Sequence, residues 1–429
     1  MAEARMQRRM ARMLGKRVDE AGFDQVADPR QHRGRRWKLE SVLRALVVGL
    51  ASGCKSLQEV EGLTARMSRT MRRRLRIARR LPDTTARDLL CRLSPTEVRK
   101  ALHRLVRRAQ RRKALAPVGL PFGMVAMDGK NTAIEACDDR YAQRQPQAEG
   151  GGETSVVRTV SCSLVSAAGR PCIDVVPIPA STNEMGHFEA AFEQLTSAYQ
   201  GLKLFRLVSY DAGACSLDNA RRVVAKGYDY LFGLKRTQPT LLAEAERLLG
   251  GRTAEQADAV SEDVRGATVV MRRVYLSDEM AGYLDWEHLG TVVRVESETL
   301  DRQGRRVEHF HRYFVSSLPL ERLSATQWLY AVRAHWGVEN NCHHTWDTAF
   351  AEDERPWIQA HPRATVVVMV LRRIAYDLLT WFRSVTQRSE DKRQVPWKTL
   401  LRDLYVTVVS VTDAVLYGRV TPPELLVTP

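Results

Sequence analysis

The sequence predicts an α/β layer fold, preceded by a small helical domain and carrying a β-rich insertion. Three observations lead there. Between residues 123 and 234 short apolar runs alternate with helix-patterned stretches, in the order β, β, β, α, β, α, β. Residues 37–114 keep apolar positions at helical spacing among dense arginines. Residues 262–318 change to β-branched, turn-separated segments without a helical period.

Taken in order, residues 1–36 are polar and basic and read as a loose basic arm. Trp37, Leu39, Val42, Leu43, Leu46 and Val47 then recur at helical spacing up to Leu50. After Gly53, Ser56 is placed as an N-cap with Glu59 at the capping-box position, which starts a second helix. The densest basic patch runs from Arg72 to Arg80. Pro82-Asp83-Thr84-Thr85 and Ser94-Pro95-Thr96-Glu97 each open a further helix. Residues 37–115 thus form a helical domain, in which helix-turn-helix geometry stays open.

Ala116-Pro117-Val118-Gly119-Leu120-Pro121 is a linker by composition. Beyond it, Gly123–Met127 reads as a short buried strand. Val156–Val165 and Pro171–Ile178 read as paired strands joined by Ala167-Ala168-Gly169-Arg170. Glu184–Tyr199 is helical, Leu204–Tyr210 a strand, Leu217–Lys226 a helix and Tyr228–Leu234 a strand. These belong to a core segment over residues 122–245. Residues 246–325 form the β-rich insertion, with strands over Ala267–Leu276, Gly290–Thr299 and Arg306–Ser316. Residues 326–405 return to helix, and 406–429 are a C-terminal tail.

Charge narrows the function. Residues 1–115 hold 31 Lys and Arg against 11 Asp and Glu, a net of +20, so the remainder carries −4 of the overall +16. Arginine forks pair with phosphate oxygens, so this segment is an electrostatic footprint for nucleic acid. Arg72, Arg73 and Arg74 are the candidate DNA contacts within it. No run of about 20 apolar residues is present, which argues against a membrane span. The Arg-rich start lacks the apolar core of a signal peptide, so a cytoplasmic, nucleoid-associated protein is expected. Seven scattered cysteines without a Cys-x-x-Cys pair argue against a disulfide framework. Cys342-His343-His344 resembles a metal cluster only locally, because adjacent helical residues point in different directions.

Three carboxylates stand out. Asp128 ends the run Gly123-Met124-Val125-Ala126-Met127, and Asp211 ends Leu204–Tyr210. Glu339 lies in the helix-like His335-Trp336-Gly337-Val338-Glu339-Asn340. Two strand ends and one helix can bring such groups to one sheet edge, an arrangement suited to two divalent ions and phosphodiester chemistry.

The motifs go further together than singly. Met127-Asp128-Gly129-Lys130, Ser181-Thr182-Asn183-Glu184, Ser209-Tyr210-Asp211-Ala212 and Gly227-Tyr228-Asp229-Tyr230-Leu231 follow one another, with Lys235 and Gln238 close behind. Arg333-Ala334-His335-Trp336-Gly337-Val338-Glu339-Asn340 comes next, then His344-Thr345-Trp346-Asp347 and Phe350-Ala351-Glu352-Asp353. In this order, over residues 35 to 380, the chain resembles the DDE transposases of bacterial insertion sequences, in the H-repeat-associated branch. The resemblance implies a ribonuclease-H-like catalytic core with a β insertion before the Glu. It implies Asp128, Asp211 and Glu339 as catalytic residues and as ligands of two Mg²⁺ or Mn²⁺ ions, and DNA cleavage with strand transfer. It also implies terminal inverted repeats and target DNA as partners, with a homodimer on DNA. Related transposases often carry Tyr-x2-Arg-x3-Glu-x6-Lys around the Glu; here His335 and Trp346 stand at its Arg and Lys positions.

Lys130, Lys235 and Arg333 are candidate phosphate contacts, with ordinary strand-end or surface charge as the alternative. His335 either positions the scissile phosphate or caps the packing of Trp336, with packing favoured. Asp347 and Asp353 are supporting carboxylates, and Trp328, Trp336, Trp346 and Trp357 read as core. Two other functions fit the same residues: a two-metal nuclease that cuts without joining, and a silent relic that only binds DNA.

Overall fold

The chain enters its fold through helices: α1 (Ala2–Glu20), α2 (Leu39–Ala51), α3 (Leu57–Arg66), α4 (Arg69–Leu75), α5 (Asp83–Arg92) and α6 (Pro95–Arg111). The computed structural model describes residues 2–31, 35–145, 153–387 and 389–418. The expected loose arm is instead largely helix. Met10, Leu14 and Val18 recur every four residues and are buried, giving α1 an apolar stripe that the surrounding arginines hide in the sequence. Residues 32–34 of the expected arm lie outside the described residues. Ser56 caps α3 by accepting from the Glu59 amide at 3.1 Å, while the Glu59 carboxylate accepts from the Lys55 amide at 2.9 Å.

One sheet of ten strands follows. Its strands are β1 (Met124–Glu135), β2 (Ala142–Gln145), β3 (Thr154–Ser163), β4 (Cys172–Pro177), β5 (Leu207–Tyr210), β6 (Asp229–Leu234), β7 (Ala259–Arg265), β8 (Thr268–Ser277), β9 (Thr291–Leu300) and β10 (Arg306–Ser316). The order is β2-β3-β1-β5-β6-β10-β9-β8-β7, with β4 also on β3. β3 lies antiparallel to β1, and β5 and β6 lie parallel to it in turn. Helices α7 (Phe188–Ala198), α8 (Leu217–Ala225) and α9 (Pro239–Leu249) connect these strands. The fold is therefore mixed α/β, with a helical N-terminal region and a large mixed sheet.

The 246–325 segment extends that sheet, because β10 pairs antiparallel with β6 at Tyr313↔Leu234 and β7 to β9 add outward from it. Four strands come from this segment, one more than its β-branched runs suggest.

The chain closes through α10 (Ala325–His335), a π-helical turn (Val338–His343), α11 (His344–Thr348), α12 (Pro362–Trp381), α13 (Glu390–Arg393), α14 (Trp397–Ser410) and α15 (Asp413–Tyr417). The 406–429 tail is thus helical as far as Tyr417, and 419–429 lie outside the described residues. α12 is buried nearly end to end, packed between α2, α6 and β4. The N-terminal helices and the sheet accordingly share one hydrophobic core. Among the described residues no helix is long and apolar enough to cross a membrane.

Candidate active site

Register places the first two carboxylates. β1 and β5 pair in parallel up to Ala126↔Ser209. Two residues further along each chain come Asp128 and Asp211, level with one another where β5 stops, on strands about 4.8 Å apart. Asp128 is not at a strand end as its apolar run suggests. β1 continues to Glu135, and only its burial pattern changes at Asp128, from continuous to alternating. Asp211 starts the loop after β5, where its carboxylate accepts from the Gly213 amide at 2.8 Å.

Glu339 arrives on the π-helical turn after α10, and such turns are frequent where a helix must re-aim a side chain. α10 is docked on β5 by His335, whose Nδ1 shares a hydrogen bond of 3.0 Å with Ser209 Oγ. Ser209 is two residues before Asp211 and His335 is four before Glu339, so one bond sets strand against helix. Burial, then the charge of Arg312, lowers His335 to about 4, so the ring is neutral at pH 7. The ring thus packs beside Trp336 and docks α10 on β5.

A fourth carboxylate, Glu184, completes the group. Its Oε1 accepts from the Gly129 amide at 3.0 Å and from the Tyr210 hydroxyl at 3.0 Å. Sequence reasoning places Glu184 only at a helix start. The signal that could have found it is Gly129, since a glycine inside a strand marks a close approach.

The electrostatics follow. The Asp128 carboxyl is pushed up to about 8, first by burial and then by the negative charges of Glu339, Glu184 and Asp211. Glu184 is raised for the same first reason, with Asp211 contributing. His343 Nδ1 sits 3.4 Å from Asp128 Oδ2, yet burial, Arg373 and Lys130 lower it to about 3, so it brings no positive charge. Among the described residues no three His, Cys, Asp or Glu close into a ready metal cluster. Like charges in a poorly solvated space repel, and a divalent cation is what would draw them together. The all-oxygen donor set suits a hard cation such as Mg²⁺ or Mn²⁺.

The predicted cationic contacts divide. Lys130 is buried and its Nζ lies 2.8 Å from Asp347 Oδ1 and 3.0 Å from Asp353 Oδ2, so its charge is committed inside the protein. Asp353 also accepts from Thr132 at 3.0 Å. Arg333 is paired with Asp263 of β7. Arg72 caps carbonyls of Ala65 and Met67, Arg73 pairs with Asp413, and Arg74 pairs with Asp19 at 3.1 Å. These arginines fasten α4 to α3, α15 and α1; Arg73 stays largely exposed. Lys235 is exposed and lines a cavity of about 570 Å³ that opens on Asp211. A second cavity, of about 790 Å³, opens on Glu339, and Arg312, Phe314 and Trp336 wall both. Trp328, Trp346 and Trp357 are buried as core, whereas Trp336 is half-buried at this wall.

Behind the site, Glu352 is fully buried against Arg373 at 2.7 Å, and Arg373 stacks 3.5 Å from the Trp346 ring centre. Burial would raise the Glu352 carboxyl, but Arg373 and Arg372 hold it below the usual carboxylate range. This pair fixes the segment after Glu339 on α12.

Comparison with known proteins points to transposases. Residues 21–106 match the family model described as DDE_Tnp_1-associated. The chain is 27% identical over 184 residues to "H repeat-associated putative transposase YhhI" of Escherichia coli K12, covering 41% of this chain and 47% of that protein. It is 26% identical over the same length to "Putative protein YbfL" of that organism, also covering 47% of it. The chain is similar to the H-repeat-associated DDE transposases. The match spans about half the length of these relatives, and the matched helical region 21–106 precedes the sheet that carries Asp128 and Asp211.

Proposed function

We propose that this relative of the DDE transposases cleaves DNA strands and transfers them at insertion-sequence ends, with Asp128, Asp211 and Glu339 as its catalytic carboxylates. The observation that carries the reading is Asp128: a carboxyl raised to about 8 by its neighbours Glu339, Glu184 and Asp211 marks carboxylates from three distant parts of the chain converging on one space. The strand order β4-β3-β1-β5-β6, antiparallel on one side of β1 and parallel on the other, supports a ribonuclease-H-like core.

Asp128, Asp211 and Glu339 would hold a pair of Mg²⁺ or Mn²⁺ ions, with Glu184 beside them. The chemistry such a pair supplies is activation of water or a 3′-hydroxyl and neutralisation of the leaving 3′-oxygen. The chain's own residues do the rest. Gly129 and Tyr210 hold Glu184 at the site, and the His335–Ser209 bond keeps Glu339 level with Asp211. Lys235, exposed in the cavity at Asp211, is placed to meet a phosphate. The basic N-terminal region supplies general affinity for DNA through exposed arginines such as Arg69, Arg87 and Arg92.

The test is Mg²⁺-dependent strand cleavage of DNA carrying the inverted repeats that flank the gene. Alanine at Asp128, Asp211 or Glu339 should abolish cleavage and leave DNA binding in EDTA intact. Wild-type cleavage by Asp211→Ala would overturn the assignment.

A further inference from the structure

Two guanidinium groups beside Glu339 have no carboxylate partner among the described residues. Arg170 closes the turn between β3 and β4 in a left-handed conformation, φ 53°. Its side chain lies against the Gly337 backbone, where an added Cβ would meet Arg170 Nη1 at 2.9 Å. Arg312, exposed on β10, has its Cζ 4.0 Å from the Trp336 ring centre and 5.1 Å from that of Phe310. Both line the cavity that Glu339 lines. Arg333, on the same cavity, is by contrast paired with Asp263.

Position and chemistry make these two unusual. Trp336 and Gly337 are the residues just before the π-helical turn, so the guanidiniums flank the backbone that presents Glu339. A guanidinium lying over an aromatic face keeps its in-plane N–H groups available, and that fork matches the oxygens of a phosphodiester. Glu339 lines the same cavity, yet among the described residues it is ion-paired with neither guanidinium, so both stay open to an added anion. Most arginines elsewhere in the sheet extension, such as Arg273 and Arg305, already have carboxylate partners.

We propose that Arg170 and Arg312 form a phosphate clamp, which seats the DNA backbone on the cavity beside Glu339. The inference rests on the strand-cleaving reading above and adds the binding residues for the strand at that site. Arg312 also stands on the wall between the two cavities, so it sets which of them a bound strand follows.

The experiment measures binding of a short fluorescein-labelled duplex of arbitrary sequence by anisotropy, in EDTA, across a salt series. Arg170→Ala and Arg312→Ala should each reduce the slope of log affinity against log salt by about 0.9, and the double variant by about 1.8. Arg312→Lys keeps the charge and should hold the slope near wild type. Glutamine variants repeat the measurement if either alanine variant melts early. Slopes equal to wild type in both single variants overturn the clamp and leave the function reading standing. A wild-type chain that binds no DNA overturns the function reading, and the clamp with it.

Discussion

Glu184 accepts a hydrogen bond from the Gly129 amide at 3.0 Å, and a methyl group added at Gly129 would lie 1.8 Å from Glu184 Oε2. The residue after Asp128 is therefore small because the Glu184 carboxylate leans on it. Tyr210, the residue before Asp211, donates to the same oxygen at 3.0 Å. Glu184 in this way ties the neighbours of both aspartates together.

Gly129→Ala should consequently displace Glu184 and disturb both aspartates at once. Overpacking of this kind destabilises by about 1–3 kcal/mol. Metal-dependent cleavage should fall by far more than that loss of stability explains, while DNA binding in EDTA persists. A denaturant melt and a cleavage assay on the same preparation check it; cleavage at the wild-type rate would show that Glu184 has room to move.

The Asp128 carboxyl is raised from 3.8 to about 8 in the folded chain. Between those values the folded state holds a proton that the unfolded state has lost. Stability therefore falls as pH rises through that window, by up to about 1.4 kcal/mol per unit. Asp128→Asn removes the ionisation, so in EDTA its stability should decline less between pH 5 and pH 8 than that of the wild type. Adding Mg²⁺ at pH 7 should release about one proton from the wild type and none from the variant. Equal proton release would sink the idea that Asp128 is the coupled group.

Lys130 is held by Asp347 and Asp353 across 217 and 223 positions of chain. Lys130→Met leaves two partly exposed carboxylates without their cation and should destabilise by about 1–3 kcal/mol. If Lys130 contacted DNA instead, its loss would lower the salt slope of binding by about 0.9. The slope should stay unchanged, which anisotropy titrations at several salt concentrations decide.

The three carboxylates were legible because each follows or occupies a strongly patterned segment: two apolar runs and a helix rich in aromatic residues. What the pattern could not carry were pairings across the chain. Lys130 looks like a free strand-end cation until Asp347 and Asp353 fold over it. Gly129, Lys130 and Asn131 are poor strand formers, so the pattern ends β1 at Met127, although ladder pairing to β3 continues to Glu135↔Thr154. The arm at residues 1–36 reads as loose because arginines separate Met10, Leu14 and Val18, yet those three are the buried stripe of α1. Arg170 and Arg312 carry no local signal, because what sets them apart is the lack of a carboxylate partner among the described residues, and that is a property of the fold.

His335 links α10 to β5 through Ser209, and burial lowers its pKa from 6.5 to about 4. Here the sign is opposite to that of Asp128. Between 6.5 and 4 the unfolded chain takes up a proton that the folded ring refuses, so stability falls as pH falls through that window. His343, lowered to about 3, adds a similar loss that runs further into acid. His335→Gln cannot be protonated, so its melting temperature should fall less than that of the wild type between pH 6.5 and pH 4.5. At pH 7.5 the same variant should be less stable, by about 1–2 kcal/mol, through an altered bond to Ser209 in a buried site. Ser209→Ala separates the two effects: it loses the bond but retains the ring, so its acid sensitivity should remain. Parallel acid profiles for wild type and His335→Gln would show that His335 is not the group that titrates.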